Sequence, residues 1–407
     1  MIDVVATLNP NNGLARGWTL NPPRPPSSLL WTVAVDIGML DALQSDVHEH
    51  PLHAVGASGP DRRDAMVRAA GEAVERYALV ARADREPQGV SADDIDPGEP
   101  TLDVVSEGLC SSSAPLHELR WYRGRCLATG GPVWVPAGTV DFPGHSEWFD
   151  VTPSGAAAGP DVEFATTGAL LEWVERDALQ TVWASGNPLQ TIDVASHSAS
   201  SAHARALSKL MMAVDAAGLA VQFCSIPSPT AIPCVVAAIV SDGVVAVGAK
   251  AHPDPARAMV VALQESLQVR SAMIAIREVH GDSAPVGGVR SDLDRALTWM
   301  SPGASEEWNG RVDDVRRGLP EPVEKDSGDS TIGETVLRRV QTSRGRPVVV
   351  ELTDRLPEVH RDMGWCAVKV LVPGFQPLRM DETTSHGWRL DRIDGGVVAA
   401  GRPHPLI

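Results

Sequence analysis

The sequence predicts an α+β domain in which helices pack on mixed sheets, and three observations lead there. First, the segment Glu72-Ala-Val-Glu-Arg-Tyr-Ala-Leu79 returns one hundred residues later as Glu172-Trp-Val-Glu-Arg-Asp-Ala-Leu179, each copy with the charge spacing of a helix. Second, His252-Pro-Asp-Pro255 opens an apolar run from Ala256 to about Ile276 that Glu265, Gln268 and Arg270 interrupt, a third helix of similar design. Third, β-branched runs at 235–248, 348–352 and 367–372 read as strands, and Ser241-Asp-Gly243 folds the first of them into a hairpin.

Taken in order, residues 1–34 are rich in turn formers, with Asn9-Pro-Asn-Asn-Gly13 and Pro22, Pro23, Pro25 and Pro26, and are expected to be an extended arm lying on a main domain of residues 35–407. The first repeat helix should run from about Asp61 to Ala83, entered from Gly59-Pro-Asp61, where an acidic residue suits a helix N-terminus. The second enters in the same way from Gly159-Pro-Asp161 and runs to about Trp183. Residues 281–335 are polar and punctuated by Gly and Pro, and are expected to be a surface insertion with two short, partly mobile helices.

With 407 residues and 43% hydrophobic content, the chain can bury one large core or two ordinary ones. A formal charge of −17, from 52 acidic and 35 basic residues with no Lys/Arg block, argues against nucleic acid or an anionic membrane as partner. The start lacks a basic, then apolar, targeting pattern and no run of about eighteen apolar residues follows, so a cytoplasmic address is expected. Cys110, Cys126, Cys224, Cys234 and Cys366 are odd in number and form no CxxC, which indicates neither a disulfide framework nor a zinc ribbon.

The repeat carries the chemistry. On a helix, positions i, i+3 and i+4 share a face, so each copy presents two carboxylates and a guanidinium together. A single Glu/Arg pair at i,i+4 is a common exposed ion pair contributing a few tenths of a kcal/mol. Two copies, each preceded by apolar residues such as Ala65, Met66 and Ala69 or Ala169, Leu170 and Leu171, argue for partly buried charges that need partners. Brought together, the two faces would make a divalent-metal and phosphate site.

Other motifs fail. In Gly243-Val-Val-Ala-Val-Gly248-Ala-Lys250 an alanine displaces the lysine from a phosphate-binding loop, His117-Glu118 lacks its second histidine, and no GxSxG occurs. His48, His50 and His53 make an HxHxxH cluster in polar surroundings that do not preorganise a metal site. Cys110 has no base beside it.

These features together resemble the YcaO superfamily, in its peptide-modifying, azoline-forming branch. Arg68 to Tyr77 resembles the family's first motif, SxxExxER. Ser154 to Gly159, through Gly168 to Asp177, resembles the second, and Ala262 to Arg270 the third. Val370 to Leu378 and Pro403-His-Pro405 resemble the C-terminal part with its proline-rich tail. The resemblance implies a nucleotide cleft built from helix faces, with ATP and Mg²⁺ as cofactors. Glu72, Glu75, Glu172, Glu175 and Glu265 would hold metal ions and nucleotide, Arg76 and Arg176 would contact phosphates, and Gln268 and Arg270 belong to the third motif of the nucleotide site. The tail residues Pro403, Pro405 and Ile407 would lie near the reaction centre. Departures are Ala69 for a serine, Pro160 for an asparagine, Phe164 for a glutamate and Val261 for an arginine.

The activity so implied is ATP-dependent cyclodehydration of Cys, Ser or Thr in a ribosomally made precursor peptide. The side chain adds to the preceding amide carbonyl, and phosphorylation of the amide oxygen turns it into a leaving group. Thioamide or macroamidine formation is the alternative within the fold. A catalytically degenerate subunit serving as peptide-binding scaffold is the alternative from another class. A separate leader-peptide-binding protein and a homodimeric state are further implications.

Overall fold

The computed structural model describes residues 2–37, 54–81, 89–144, 146–194, 201–281, 285, 287–324 and 330–407; His48, His50 and His53 lie outside them. Within these residues the chain begins with α1 (Val4–Thr7), β1 (Gly17–Asn21), β2 (Trp31–Asp36) and β3 (Ala54–Gly59), the last three forming an antiparallel sheet in which Trp18 faces Val35 and Val33 faces Ala57. The segment expected as an extended arm at 1–34 thus contributes β1 and the start of β2 to a sheet. Pro22, Pro23, Pro25 and Pro26 lie in the β1–β2 connection, where no ladder hydrogen bond is required of them, while Leu8, Leu14, Val33 and Val35 are buried in the main core. Trp365 Nε1 donates to Thr7 Oγ1 at 2.8 Å and ties α1 to the far end of the chain.

Helix α2 (Arg62–Leu79) starts at an Asp61 cap whose carboxylate accepts the Asp64 N–H, and buries Ala65, Ala69, Ala73 and Val74 against β3 and β2. It ends at Leu79 because Val80 is extended, one turn short of the expected Ala83. Next come β4 (Val90–Ser91), β5 (Arg120–Cys126), β6 (Pro132–Pro136) and β7 (Ala156–Gly159). These join β13 (Val348–Glu351) and β14 (Cys366–Leu371) in a six-stranded antiparallel sheet of order β4-β5-β13-β14-β7, with β6 also paired to β5.

Helix α3 (Val162–Ala184), capped by Asp161, lies between this sheet and a third one. The third sheet runs β11-β10-β9-β8-β12, made of β8 (Leu189–Ile192), β9 (Val221–Ile226), β10 (Cys234–Ser241), β11 (Val244–Ala251) and β12 (Val312–Arg317), the last parallel to β8 and the other pairs antiparallel. The predicted hairpin closes through Asp242 and Gly243 at φ of 53° and 74°, left-handed values that Asp-Gly tolerates. On β10 and β11 packs α5 (Pro255–His280), capped by Asp254, with α4 (Ala202–Ala216) against it. By length and composition α5 could cross a membrane; here it covers a sheet.

Residues 281–335 are not a surface insertion. Their two short helices, α6 (Asp292–Met300) and α7 (Ala304–Arg311), bury Trp299 and Trp308 completely, and β12 closes the third sheet. Trp183 of α3 meets Trp299 edge-on at 5.6 Å and stacks with Trp308 at 6.5 Å. Burial of each indole contributes about 5 kcal/mol of transfer free energy, which outweighs the polar residues around it. Helix α8 (Ile332–Thr342) packs on α3, and α9 (Glu358–Asp362) precedes β14.

Candidate active site

Each of the three acidic motifs sits on a helix backed by a different sheet or sheet pair, and α3 joins them. From α2, Glu72 accepts from Arg76 Nε at 2.7 Å, while Glu75 has the same nitrogen at 3.9 Å. From α3, Arg176 reaches Glu172 and Glu175, each at 3.3 Å. Glu172 also accepts the Gly155 N–H at 3.2 Å. Gly155 has φ of 82°, and a Cβ there would lie 2.3 Å from both Trp173 Nε1 and Val370 O, so only glycine delivers that N–H.

Strand β11 is the edge of its sheet, and its outward N–H groups serve the site: Ala251 N donates to Glu175 at 3.3 Å and Ala249 N to Glu265 at 2.9 Å. Gly248 permits this approach, since a Cβ there would stand 2.3 Å from the Ala262 carbonyl of α5. Two lysines complete the cluster. Lys250 Nζ lies 3.3 Å from Glu175, and Lys369 of β14, fully buried, donates to the Thr152 carbonyl at 2.7 Å within electrostatic reach of Glu172 and Glu75.

Five carboxylates thus face four cationic side chains. Burial, reinforced by Glu72 and Glu172, pushes the Glu75 carboxyl well above its ordinary value, and burial together with Glu175 pushes Glu265 up to about 7. Burial lowers Lys369 to about 7 despite Glu172 and Glu75. At Lys250, burial opposes the charge, but Glu175, Glu265 and Glu172 outweigh it and raise the pKa. The potential is therefore short of positive charge. Carboxylate oxygens are the donors that Mg²⁺ takes, and among the described residues no three acidic or imidazole groups converge into a preassembled metal cage. That suits an ion that keeps waters and is held by one or two carboxylates plus phosphate oxygens.

Beside the cluster, an open cleft of about 1,830 Å³ runs over the N-terminal turns of α2 and α3. Arg62, Arg63, Arg68, Lys250 and Arg257 line it, and so do Pro160, Phe164 and Val261, three of the four departures noted above; Ala69 is on the buried face of α2. Phe164 is 59% exposed there, with its ring against Gly159.

Two expected site residues lie elsewhere. Arg270 holds the hairpin turn through Ser241 and Asp242 and bonds the Pro26 carbonyl, and Gln268 bonds the Gly56 carbonyl on β3. Both brace α5, because they lie beyond the turn that presents Glu265. Lys250 and Lys369 were missed; a lone lysine inside the β-branched run 367–372 was the available signal for the latter. The tail passes close by: Trp299 Nε1 donates to the Pro403 carbonyl, Pro405 is buried, Leu406 pairs in parallel with Val247 on β11, and Ile407 packs on the main core.

Residues 56–376 match the YcaO family, described as YcaO cyclodehydratase, ATP- and Mg²⁺-binding. The chain belongs to this family, whose cofactors are ATP and Mg²⁺. Similar curated proteins include an uncharacterized protein of Methanothermobacter thermautotrophicus, 27% identical over 85% of this chain and 88% of that protein. Another is an uncharacterized protein in the tfuA 3′ region of Rhizobium leguminosarum bv. trifolii, 28% identical over 81% and 78%. Among solved structures, YcaO from Methanopyrus kandleri bound with AMPPCP and Mg²⁺ has a TM-score of 0.65 at 20% identity, covering 99% of this chain and 94% of that one. A heterocyclase in complex with substrate and cofactor has a TM-score of 0.74 at 16% identity, covering 99% and 56%. The E. coli microcin synthetase McbBCD complex has a TM-score of 0.64 at 12% identity, covering 95% and 94%. At these identities the likeness is one of fold.

Proposed function

We propose that this chain is an ATP-dependent cyclodehydratase that forms azoline rings from Cys, Ser or Thr of a precursor peptide. The observation that carries the reading is the meeting of three acidic motifs, short of positive charge, at the end of a cleft lined by arginines. Glu72, Glu75 and Glu172 on one side, and Glu175 and Glu265 on the other, would hold Mg²⁺. Arg62, Arg63, Arg68 and Lys250 would receive the phosphates. Bound ATP supplies a phosphoryl group that converts the amide oxygen into a leaving group. Arg76 and Arg176, kept charged by their glutamates, would stabilise negative charge developing there. The tail at Pro403, Pro405 and Ile407 would position the peptide, which a separate leader-binding protein would deliver to a homodimer.

The test is incubation with ATP, Mg²⁺, the cognate peptide and its leader-binding partner. Phosphate release together with loss of one water per ring from the peptide supports the proposal. Replacement of an amide oxygen by sulfur, or an amidine crosslink, would move the assignment to the thioamide or macroamidine branch.

One observation favours a second reading. Pro160, Phe164 and Val261 give the cleft an apolar wall where the family pattern has polar groups, as in a subunit that has lost nucleotide and kept its peptide contacts. Calorimetric titration separates the two: micromolar binding of ATP with Mg²⁺ supports the enzyme, and none at millimolar concentration the scaffold.

A further inference from the structure

The two copies of the repeat differ where Tyr77 corresponds to Asp177, so only the second carries a third carboxylate. Asp177 is completely buried on α3. Its neighbour Arg176 serves the acidic cluster, but Asp177, about 100° further round the helix, takes partners from the C-terminal part of the chain. Arg392 grips both of its oxygens, Nε at 3.0 Å, and the Gln376 N–H donates to it at 2.8 Å.

These two partners are the ends of one excursion, residues 376–392, which Asp177 therefore staples at its base. Gln376 closes the excursion from within: its side-chain amide donates to the Gly387 carbonyl at 2.9 Å, and its Oε1 accepts the Arg389 N–H at 2.7 Å. Within the excursion lies Arg379, whose carbonyl accepts from His404 Nε2 at 2.8 Å, and His404 stands between Pro403 and Pro405. Arg295 bonds the Arg379 and His404 carbonyls together. One turn and a half along α3, Trp183 Nε1 donates to the Arg402 carbonyl at 2.9 Å, and the Ala184 carbonyl accepts the Ala399 N–H at 2.6 Å. The helix that presents Glu172 and Glu175 is thus also the one that carries the tail. Leu406, at the end of this path, pairs with Val247, two residues from the Ala249 N–H that holds Glu265.

A buried ion pair adds little stability over well-packed apolar residues of the same volume, but a two-pronged guanidinium–carboxylate contact fixes direction as well as distance. We propose that Asp177 is a positioning residue for the tail: through Arg392 and Gln376 it fixes the excursion 376–392, and through the excursion it sets Pro403-His404-Pro405 beside the acidic cluster. That the tail then serves a peptide rests on the proposed function, and the experiment separates the two.

Asp177→Asn keeps the shape and can still accept from Gln376, but it gives up the charge that Arg392 grips. Arg392→Gln cuts the same link from the side of the excursion, and it decides the matter should Asp177→Asn fail to fold. Deuterium uptake is first measured on the full chain without nucleotide or peptide. The amides of residues 398–407 should exchange about tenfold faster in the variants, with α2 unchanged. Turnover is then measured with the cognate peptide and its leader-binding partner. The peptide KM should rise about tenfold, with kcat and the calorimetric affinity for ATP within about twofold of the native protein. A residue that only supports the fold would instead lower the melting temperature and kcat and leave KM alone. Unchanged tail exchange in the variants overturns the anchor, and faster tail exchange with unchanged KM overturns its service to the peptide. Absence of turnover in the native protein, with tail exchange responding as expected, refutes the cyclodehydratase reading and leaves the anchor standing.

Discussion

Replacing Glu265 with glutamine asks whether the carboxylate cluster is built for an external cation. The glutamine Oε1 can keep the bond from Ala249 N, so little but the charge changes. Burial, and after it Glu175, holds the Glu265 carboxyl at about 7 against an ordinary 4.5. The folded protein therefore binds more protons than the unfolded chain between these values. The stability this contributes is complete below the unfolded pKa and is lost as pH rises through 7. The difference corresponds to about 3 kcal/mol at most. In chemical unfolding without Mg²⁺ or nucleotide, Glu265→Gln should match the native protein near pH 5 and exceed its stability at pH 8 by up to about 3 kcal/mol. Adding Mg²⁺ with a non-hydrolysable ATP analogue at pH 8 should stabilise the native protein more than the variant. A variant that loses stability at pH 8, or gains as much from Mg²⁺ as the native protein, would refute the reasoning.

Among the described residues Glu75 has its one ion pair with Arg76 at 3.9 Å, and burial pushes its carboxyl well above the ordinary value, so Glu75→Gln should not lower stability and should raise it at pH 8, while ATP turnover falls at least about a hundredfold, read by phosphate release. Equal losses of both would favour a purely structural role. Phe164→Glu restores an acid to the cleft wall at an exposed position; calorimetry should show Mg²⁺-dependent ATP binding tightening by several-fold, and weaker binding would place the nucleotide elsewhere. Arg295→Met strips the donor that holds the Arg379, Met380 and His404 carbonyls and Glu382, leaving that half-buried acid without its guanidinium partner, and should cost about 3 kcal/mol in chemical unfolding.

The sequence made the local elements legible wherever one strong signal governed a segment. The Asp61, Asp161 and Asp254 caps stand where Pro and Asp placed them, and Asp242-Gly243 turns the hairpin as expected. The Glu repeat was legible because its spacing is helical and needs no tertiary information. What failed depended on the partner. Prolines at 22–26 suggested an arm, yet Trp18 and Trp31 to Val35 find strand partners in each other and in β3. Polar composition suggested a surface insertion at 281–335, but Trp299 and Trp308 are claimed by Trp183, more than a hundred residues earlier. Lys369 and Lys250 joined the site only because β14 and β11 flank α3, a juxtaposition no local pattern encodes. Gln268 and Arg270 were overreached for a similar reason: spacing puts them on the helix of Glu265, and only packing shows that they brace Gly56 and the hairpin.

The ion pairs within the cluster do not compete with a metal role, and magnitudes show why. An exposed i,i+4 pair contributes a few tenths of a kcal/mol, but the pair of Glu72 with Arg76 is half-buried, and taking such groups out of water costs several kcal/mol per ion. A fold selected for stability alone would do as well or better with apolar residues at Glu75, Glu175 and Glu265, because a buried ion pair gains little over a well-packed hydrophobic one. Retaining five buried or half-buried carboxylates, two of them driven toward protonation by burial and by neighbouring glutamates, makes sense when something outside the chain supplies the missing charge. The arginines and lysines then act as internal counterions that keep the apo fold intact. Glu75 and Glu265, the two they satisfy least, are where an incoming cation gains most.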